Sequence, residues 1–383
     1  MQHSLANGKL RFFTCLMRCN VALPKIVYRV KRIMNVHILS LGTANPGTGH
    51  EQEWLLNHLE LTDERTARLF RGGRINRRHL ALPPLADDGS FSTETQGQLL
   101  EKHKTVGVEI GTAALNTALS RAGIRPDQLD FLCCVSSTGF LTPGFSALIA
   151  CEIGLRADCR RLDVVGMGCH AGLNGLNAVS GAVASSGAEL GALLCIEVCS
   201  AAYVVDGSVR TAVVNSLFGD GAAAAVLGQE AWATAGKHPR ILSFRTAMIP
   251  GTLDAMRFDW DENAGKFSFF LDRAIPDEIG KNVGLVVQSL LAENGLSQVD
   301  IAHWHVHGGG KRVIERIQQA LVLGSDDLRH SWSVIENFGN VSSGSVLFAL
   351  ESLNLEEVVR PGDYGLMITM GPGCTIETAL IQW

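Results

Sequence analysis

Arg161-Leu-Asp-Val-Val-Gly-Met-Gly-Cys-His-Ala-Gly-Leu-Asn-Gly-Leu-Asn177 is the stretch on which the reading of this chain turns. An apolar, partly β-branched run ends in two glycines around a methionine. One cysteine follows, and then small residues with Leu173 and Leu176 at helical spacing. The pattern predicts strand, tight turn and helix, the repeating unit of α/β folds. A thiol at that junction sits just ahead of free backbone N–H groups and the positive end of a helix dipole, which favour the thiolate. Cys169 is therefore a candidate nucleophile. It is equally a candidate for a buried structural thiol, since free cysteine is among the most buried residue types.

On either side of this stretch the same alternation continues. Residues 36–41 read as a strand closed by the turn Gly42-Thr-Ala-Asn-Pro-Gly47, and residues 51–71 read as helical. Residues 103–123 predict a helix, 129–135 and 192–199 buried strands, and Phe218-Gly-Asp-Gly221 a turn into a strand over 222–227. Strand following helix in this way predicts a predominantly parallel sheet flanked by helices. After residue 236 a second half begins: strands over 241–247 and 265–271, a helix over 277–294, a strand over 303–307, and a helix from Lys311.

Composition narrows the function classes. The 383 residues are 46% hydrophobic and 19% charged with 41 glycines, which suits a compact, turn-rich fold with a large core. A net charge of -5 argues against a nucleic-acid role. The ten cysteines lack the spacing of a secreted disulfide framework. There is also no secretory signal and no apolar run of membrane-spanning length, so a reducing cytoplasm is the expected setting. Cys133, Cys134, Cys195 and Cys199 read as core thiols, without His or Cys partners at zinc-ligand spacing. Residues 1–33 carry Lys9, Arg11, Arg18, Lys25, Arg29, Lys31 and Arg32 and no acidic residue, and read as a disordered basic extension with Met34 as an alternative start. Cys15 and Cys19 within it are assigned no metal role. Arg65, Arg68, Arg71, Arg74, Arg77 and Arg78 crowd together, as a solvated helix face or as a phosphate site.

Two further residues stand in settings like that of Cys169. His307 closes a strand against Gly308-Gly-Gly310, and Asn340 lies in the turn Asn337-Phe-Gly-Asn-Val-Ser-Ser-Gly344 before an apolar helix. Taken singly, the first reads as a core histidine and the second as a turn or cap residue. Taken together, all three mark loop-to-helix junctions, where α/β sheets place their sites. Cys, His and Asn suffice for a decarboxylative condensation. A thiolate accepts an acyl group, and His and Asn donate hydrogen bonds to a second thioester as it loses CO2 and becomes an enolate.

Gly42-Thr-Ala-Asn-Pro46, Gly168-Cys-His-Ala-Gly172, Leu217-Phe-Gly-Asp-Gly-Ala-Ala-Ala224, Trp304-His-Val-His-Gly-Gly-Gly310, Gly339-Asn-Val-Ser-Ser343 and Gly371-Pro-Gly373 occur in this order. In these pieces the chain resembles the type III polyketide synthases, the chalcone-synthase-like branch of the thiolase superfamily, from Met34 to Trp383. The resemblance implies a five-layered αβαβα fold of two similar halves, 34–236 with the cysteine and 237–383 with the histidine and asparagine. It implies Cys169 as the acyl-accepting residue and His307 with Asn340 as the pair that activates a malonyl thioester. Phe218 and Phe269 fall at the family's gate positions, and Arg68 and Arg65 at positions that contact the CoA phosphates. Departures from the plant pattern, Ser200-Ala-Ala202-Tyr203, Gly308 and Met370, bear on the pocket for a bulky starter.

Residues 165–174, 197–203 and 213–221 are most similar to the bacterial branch of 3,5-dihydroxyphenylacetyl-CoA synthases. That likeness implies malonyl-CoA as starter and extender, no cofactor or metal, a homodimer, and helper proteins of the enoyl-CoA hydratase type. Another acyl-CoA starter giving an alkylresorcinol or pyrone, a single-condensation ketosynthase, and an inactive partner subunit of the same fold are the alternatives.

Overall fold

A computed structural model describes residues 35–383 apart from 48, 60, 62, 84–90, 186 and 235. The extension expected over residues 1–33, with Cys15 and Cys19, lies outside the described residues. The first part of the chain forms β1 (Val36–Ala44), β2 (His50–Glu51), α1 (Gln52–His58), α2 (Glu64–Gly72), β3 (Arg77–Arg78) and α3 (Gln96–Ala122). It continues with β4 (Phe131–Ser136), α4 (Phe145–Ile153), β5 (Arg160–Val165), α5 (Ala171–Ala184), β6 (Leu190–Glu197), α6 (Val209–Leu217) and β7 (Gly221–Gln229). Then come β8 (Arg240–Met248), β9 (Met256–Asp261), β10 (Lys266–Leu271), α7 (Ile275–Glu293), β11 (Ile301–Val306) and α8 (Lys311–Ala320). The chain closes with α9 (Arg329–Phe338), α10 (Ser345–Glu356), β12 (Tyr364–Gly371) and β13 (Thr375–Gln382).

Nine strands join in the order β11-β12-β13-β8-β1-β7-β6-β4-β5. Outward from its centre the sheet repeats one plan: β1-β7-β6-β4 on one side, with β5 beyond, and β8-β13-β12-β11 on the other. In each, an antiparallel pair, a second antiparallel pair and a parallel pair follow in turn. The expected predominantly parallel sheet is thus corrected. Only β4 with β5, β4 with β6 and β11 with β12 pair in parallel. The alternation of strand and helix fixes that crossovers exist, but β7 and β13 each return against their neighbour, a direction that hydrophobic periodicity does not encode.

Side chains alternate between the faces of this sheet. In β7, Ala223, Ala225 and Leu227 join a central core, while Ala222, Ala224 and Val226 join an outer core built on α3. The central core holds α5 and α10, and a third cluster holds α7 and α8 against β11, β12 and β13. The layers therefore run α3, sheet, α5 with α10, sheet, α7 with α8, the five-layered αβαβα arrangement. Leu173, Leu176, Val179 and Val183, at helical spacing along α5, are fully buried, and each contributes about 1.5–3 kcal/mol of burial.

Some local expectations shift. The helix expected over 51–71 is two helices. Asp63 caps the second, its carboxylate accepting from the N–H groups of Arg65 and Thr66 at 3.0 and 3.2 Å. The helix expected from residue 103 begins at Gln96, behind a capping box of Thr95 and Gln98. No helix among the described residues is long and apolar enough to cross a membrane.

Candidate active site

Cys169 lies in a single 3₁₀ turn, Gly168–His170, that runs straight into α5. Two glycines let the second half of the chain close on this turn. Gly168 has φ +78°, and a Cβ there would stand 2.2 Å from Pro372 Cδ. A Cβ on Gly172 would stand 2.2 Å from the carbonyl oxygen of Ser343. Both approaches are closed to any residue with a side chain, so the segments after β12 and before α10 sit directly on the cysteine's turn.

The segment before α10 supplies Asn340 and Ser342. The backbone of Asn340 is clamped to the end of α6: its N–H donates to Leu217 O at 2.9 Å, and its carbonyl accepts from Gly219 N–H at 3.0 Å. Phe218 is thereby bridged in parallel to Asn340. The Asn340 Oδ1 accepts the Ser342 N–H at 2.8 Å, and the Asn340 carboxamide acts on the Cys169 thiol to lower its pKa. Ser342 holds φ +47°, a left-handed conformation that costs a serine about 1 kcal/mol, and its Oγ donates to Cys169 Sγ at 3.4 Å.

His307 comes from the end of β11, its N–H donating to Ile368 O of the parallel β12 at 2.8 Å. The ring is buried, and Nδ1 has no hydrogen-bond partner among the described residues. Burial lowers its pKa to about 3, with the nearby His170 adding to the effect, so the imidazole is neutral at physiological pH. The thiolate expected at the helix start is opposed by burial. Desolvation pushes the Cys169 thiol up to about 12, and the Glu197 charge acts in the same direction. The hydrogen bonds from Ser342 and Asn340 pull the other way without overcoming it. A dipole lowers a thiol only where the charge keeps solvation.

Phe218 and Phe269 pack in the same region as Cys169. Both belong, with Cys169, Cys199 and Tyr203, to one apolar cluster, and their rings meet edge to face at 5.9 Å between centroids. The Phe218 carbonyl is held from behind by Arg78 Nη1 at 2.6 Å and Tyr203 Oη at 2.6 Å. Ala202 is half-buried at the end of the turn Cys199–Ala202. Met370 is buried in the outer core around α7, a cluster that Phe269 borders. Cys133, Cys134 and Cys195 are core thiols as expected; Cys199 is also buried, but in the cluster that contains the candidate nucleophile.

The arginine cluster divides. Arg65 and Arg68 are exposed on α2, where Arg68 pairs with Glu64 at 3.2 Å across the surface. Arg71 pairs with Glu53, and Arg74 with Glu336. Arg78 is fully buried, donating also to Gln52 Oε1 at 2.8 Å and Tyr203 Oη at 2.7 Å. Its role is structural, and a charge run read without a fold gives no sign of which member is buried.

Glu197, at the end of β6, was missed as a site residue, although a carboxylate inside an otherwise apolar strand is itself a signal. It is fully buried and accepts from Ser343 Oγ and from Ser137 N–H at 3.0 Å. Burial nevertheless raises its pKa from 4.5 to about 7. A carboxyl raised in the folded state favours folding fully below its unfolded pKa and loses that contribution as pH rises through its folded pKa. Relative to a Glu197→Gln variant, the parent protein should therefore lose stability as pH rises from about 4.5 to 8, by up to about 3 kcal/mol. Paired urea denaturations across that range read the difference, and a pH-independent gap would show Glu197 to be ionised throughout.

Among the described residues no group of three His, Cys, Asp or Glu side chains is placed to hold a metal ion. What the arrangement offers is a sulfur, a serine hydroxyl that donates to it, the Asn340 carboxamide and a neutral imidazole close to the same turn, with aromatic rings in the same cluster. That set suits acyl transfer through a thioester.

Comparison with known proteins agrees. Residues 84–247 match the family described as FAE1/Type III polyketide synthase-like protein, and residues 241–383 match the C-terminal domain of chalcone and stilbene synthases. The chain is 50% identical over 349 residues to a 3,5-dihydroxyphenylacetyl-CoA synthase of Streptomyces toyocaensis, covering 90% of both chains. It is 50% identical over 343 residues to one of Amycolatopsis orientalis, covering 90% of this chain and 92% of that one. A 1,3,6,8-tetrahydroxynaphthalene synthase of Streptomyces peucetius subsp. caesius is 35% identical over 82% of this chain and 83% of its own. Among solved structures, PKS-I from the brown alga Ectocarpus siliculosus superposes with a TM-score of 0.84 at 25% identity, over 92% of this chain and 100% of that one. With half of its residues shared along nine-tenths of such relatives, the chain belongs to the type III polyketide synthases, a family of acyltransferases.

Proposed function

We propose that this protein condenses malonyl units decarboxylatively on Cys169 and cyclises the product to 3,5-dihydroxyphenylacetyl-CoA. The observation that carries the reading is the 50% identity, over 90% of both chains, to a synthase of that name. The side-chain set around Cys169 supports it. In the loading step the sulfur attacks the acyl-CoA carbonyl while its proton is relayed through the neutral His307 ring to the departing CoA sulfur, and CoA leaves as its thiol. In the extension step His307 and Asn340 donate to the carbonyl of a second malonyl-CoA. Its carboxylate carbon–carbon bond breaks, CO2 departs, and the resulting enolate carbon attacks the Cys169 thioester and displaces the sulfur. Arg65 and Arg68, exposed on α2, hold CoA phosphates in this reading. Cys169, His307 and Asn340 occurring together disfavours an inactive partner subunit.

The test is mass spectrometry of products from purified protein given malonyl-CoA alone. An aromatic C8 acyl-CoA is expected; a pyrone, an alkylresorcinol or the absence of aromatic product would remove the reading. Helper proteins of the enoyl-CoA hydratase type belong to it as well, and their addition should raise the yield of the aromatic thioester.

The reading also includes a homodimer formed across β5. This strand is a sheet edge and exposes Leu162 and Val165, with Met167 and Phe140 exposed nearby, a combination that soluble monomers avoid. Sedimentation should give twice the chain mass, and Leu162→Asp with Val165→Asp should shift it to the monomer. A parent protein that sediments at a single chain mass would remove the dimer.

A further inference from the structure

A cavity of about 200 Å³ lies between the end of α1, the first turns of α3, the segment after β6 and the start of β10. None of Cys169, His307, Asn340, Phe218 or Phe269 lines it. Its walls are of two kinds. Leu59, Leu82, Phe91, Leu99 and Tyr203 supply apolar surface, and Glu94, Lys102 and Lys266 converge on the same space. Lys102 pairs with Glu94, and both side chains are largely buried, at 10% and 17% exposure. Lys266 has no ion pair among the described residues. Burial lowers its pKa from 10.5; the Lys102 charge acts in the same direction, and the Glu94 charge against both. Asp220, behind the lining Ser200, is taken up by the Ser200 hydroxyl and N–H and by the Ala81 N–H. Two cations thus face one lining carboxylate, and one positive charge is left over.

The strand that carries Lys266 also separates this cavity from the Phe218 side. Lys266 and Phe269 stand three positions apart on β10, so their side chains leave opposite faces of the ribbon. Phe269 meets Phe218 at 5.9 Å on one face, and Lys266 lies opposite Asp261 on the other. Tyr203 stands between the two regions, belonging to the cluster of Cys169 while lining the cavity, and its Oη donates to the Phe218 carbonyl at 2.6 Å.

A partly desolvated ammonium without a counter-ion favours an anion, and apolar walls favour an apolar body joined to it. The Phe91 and Tyr203 rings suit an aromatic body in particular. The volume admits one ring with a short arm and is far too small for a CoA thioester. We propose that this cavity is a binding site for a small aromatic carboxylate, with the carboxylate on Lys266 Nζ and the ring against Phe91, Leu99 and Tyr203. The site is separate from the reacting groups, and an occupant touches the side chain that anchors the Phe218 backbone.

Three probes divide the requirement. Phenylacetate carries both charge and ring, phenylacetamide keeps the ring without the charge, and acetate keeps the charge without the ring. By calorimetry phenylacetate should bind with a Kd below about 1 mM, and each control at least about tenfold more weakly. Saturating CoA should leave phenylacetate binding unchanged. Lys266→Met should weaken it at least about tenfold and Lys266→Arg should retain it. Glu94→Gln, which removes the competing carboxylate, should tighten it several-fold. A general loosening of the fold would instead weaken binding in both Lys266→Met and Glu94→Gln, so the opposite signs identify the charge on the cavity as the cause. Absence of phenylacetate binding, equal binding of phenylacetamide, displacement by CoA, or weakening by both substitutions overturns the proposal. None of these readouts depends on which thioester the protein turns over.

Discussion

Cys169→Ala is expected to abolish covalent loading and to lower product formation by at least about four orders of magnitude, since a nucleophile's removal leaves only binding and hydrogen-bond donors. Intact-mass measurement after incubation with malonyl-CoA should show an acyl adduct on the parent protein and none on the variant. Release of CO2 tells more. Asn340 and His307 do not need the sulfur to polarise a malonyl carbonyl, so the alanine variant should still release CO2 from malonyl-CoA, uncoupled from chain growth. A variant that still carried an acyl group would place the nucleophile elsewhere, and Cys199, in the same apolar cluster, would be the first residue to examine.

The second large effect is the converse. His307→Ala and Asn340→Ala should each load acyl groups in part yet lose malonyl decarboxylation and extension by about 10²–10³-fold, the usual consequence of removing one donor to a developing oxyanion. Labelled malonyl-CoA separates the steps, because the adduct reports loading and 14CO2 reports decarboxylation. Asn340→Ala that decarboxylates at the parent rate would refute the assignment. The pH profile carries a further expectation. With its pKa lowered to about 3 by burial, His307 stays neutral as pH falls from 7 to 5, so its protonation adds no acid limb to activity near 6.5. An acid limb at 6.5 that vanished in His307→Gln would show the imidazole to be far better solvated than the enclosed site implies.

Much of this site was legible in the chain because its parts are local. Two glycines before Cys169, three after His307 and the Asn-Val-Ser-Ser turn each state a backbone conformation that few other sequences allow. What brings them together is not local. That Gly172 meets the carbonyl of Ser343, or that Gly168 meets Pro372, depends on two segments far apart in sequence. Their convergence was readable only through resemblance to a family.

The misreadings have physical causes. Strand direction escaped because a side-chain period of two is the same in parallel and antiparallel ladders. The burial that opposes a thiolate at Cys169 depends on the surrounding pocket and is invisible in a short window. Arg78 was grouped with surface cations because a side chain's burial depends on which face of β3 it occupies. Arg77 on the same two-residue strand is exposed.

Phe218 and Asn340 are bridged backbone to backbone and, through the Phe218 carbonyl, anchored to a buried guanidinium. If Phe218 takes the gate position that the family resemblance implies, the width of the gate and the aim of the carboxamide answer to separate levers. Trimming the phenyl ring should widen the passage and admit bulkier chains while leaving the carboxamide in place. Disturbing the guanidinium beneath would slacken the aperture and the chemistry together. A programme that reshapes product size should therefore vary the ring and leave its footing untouched.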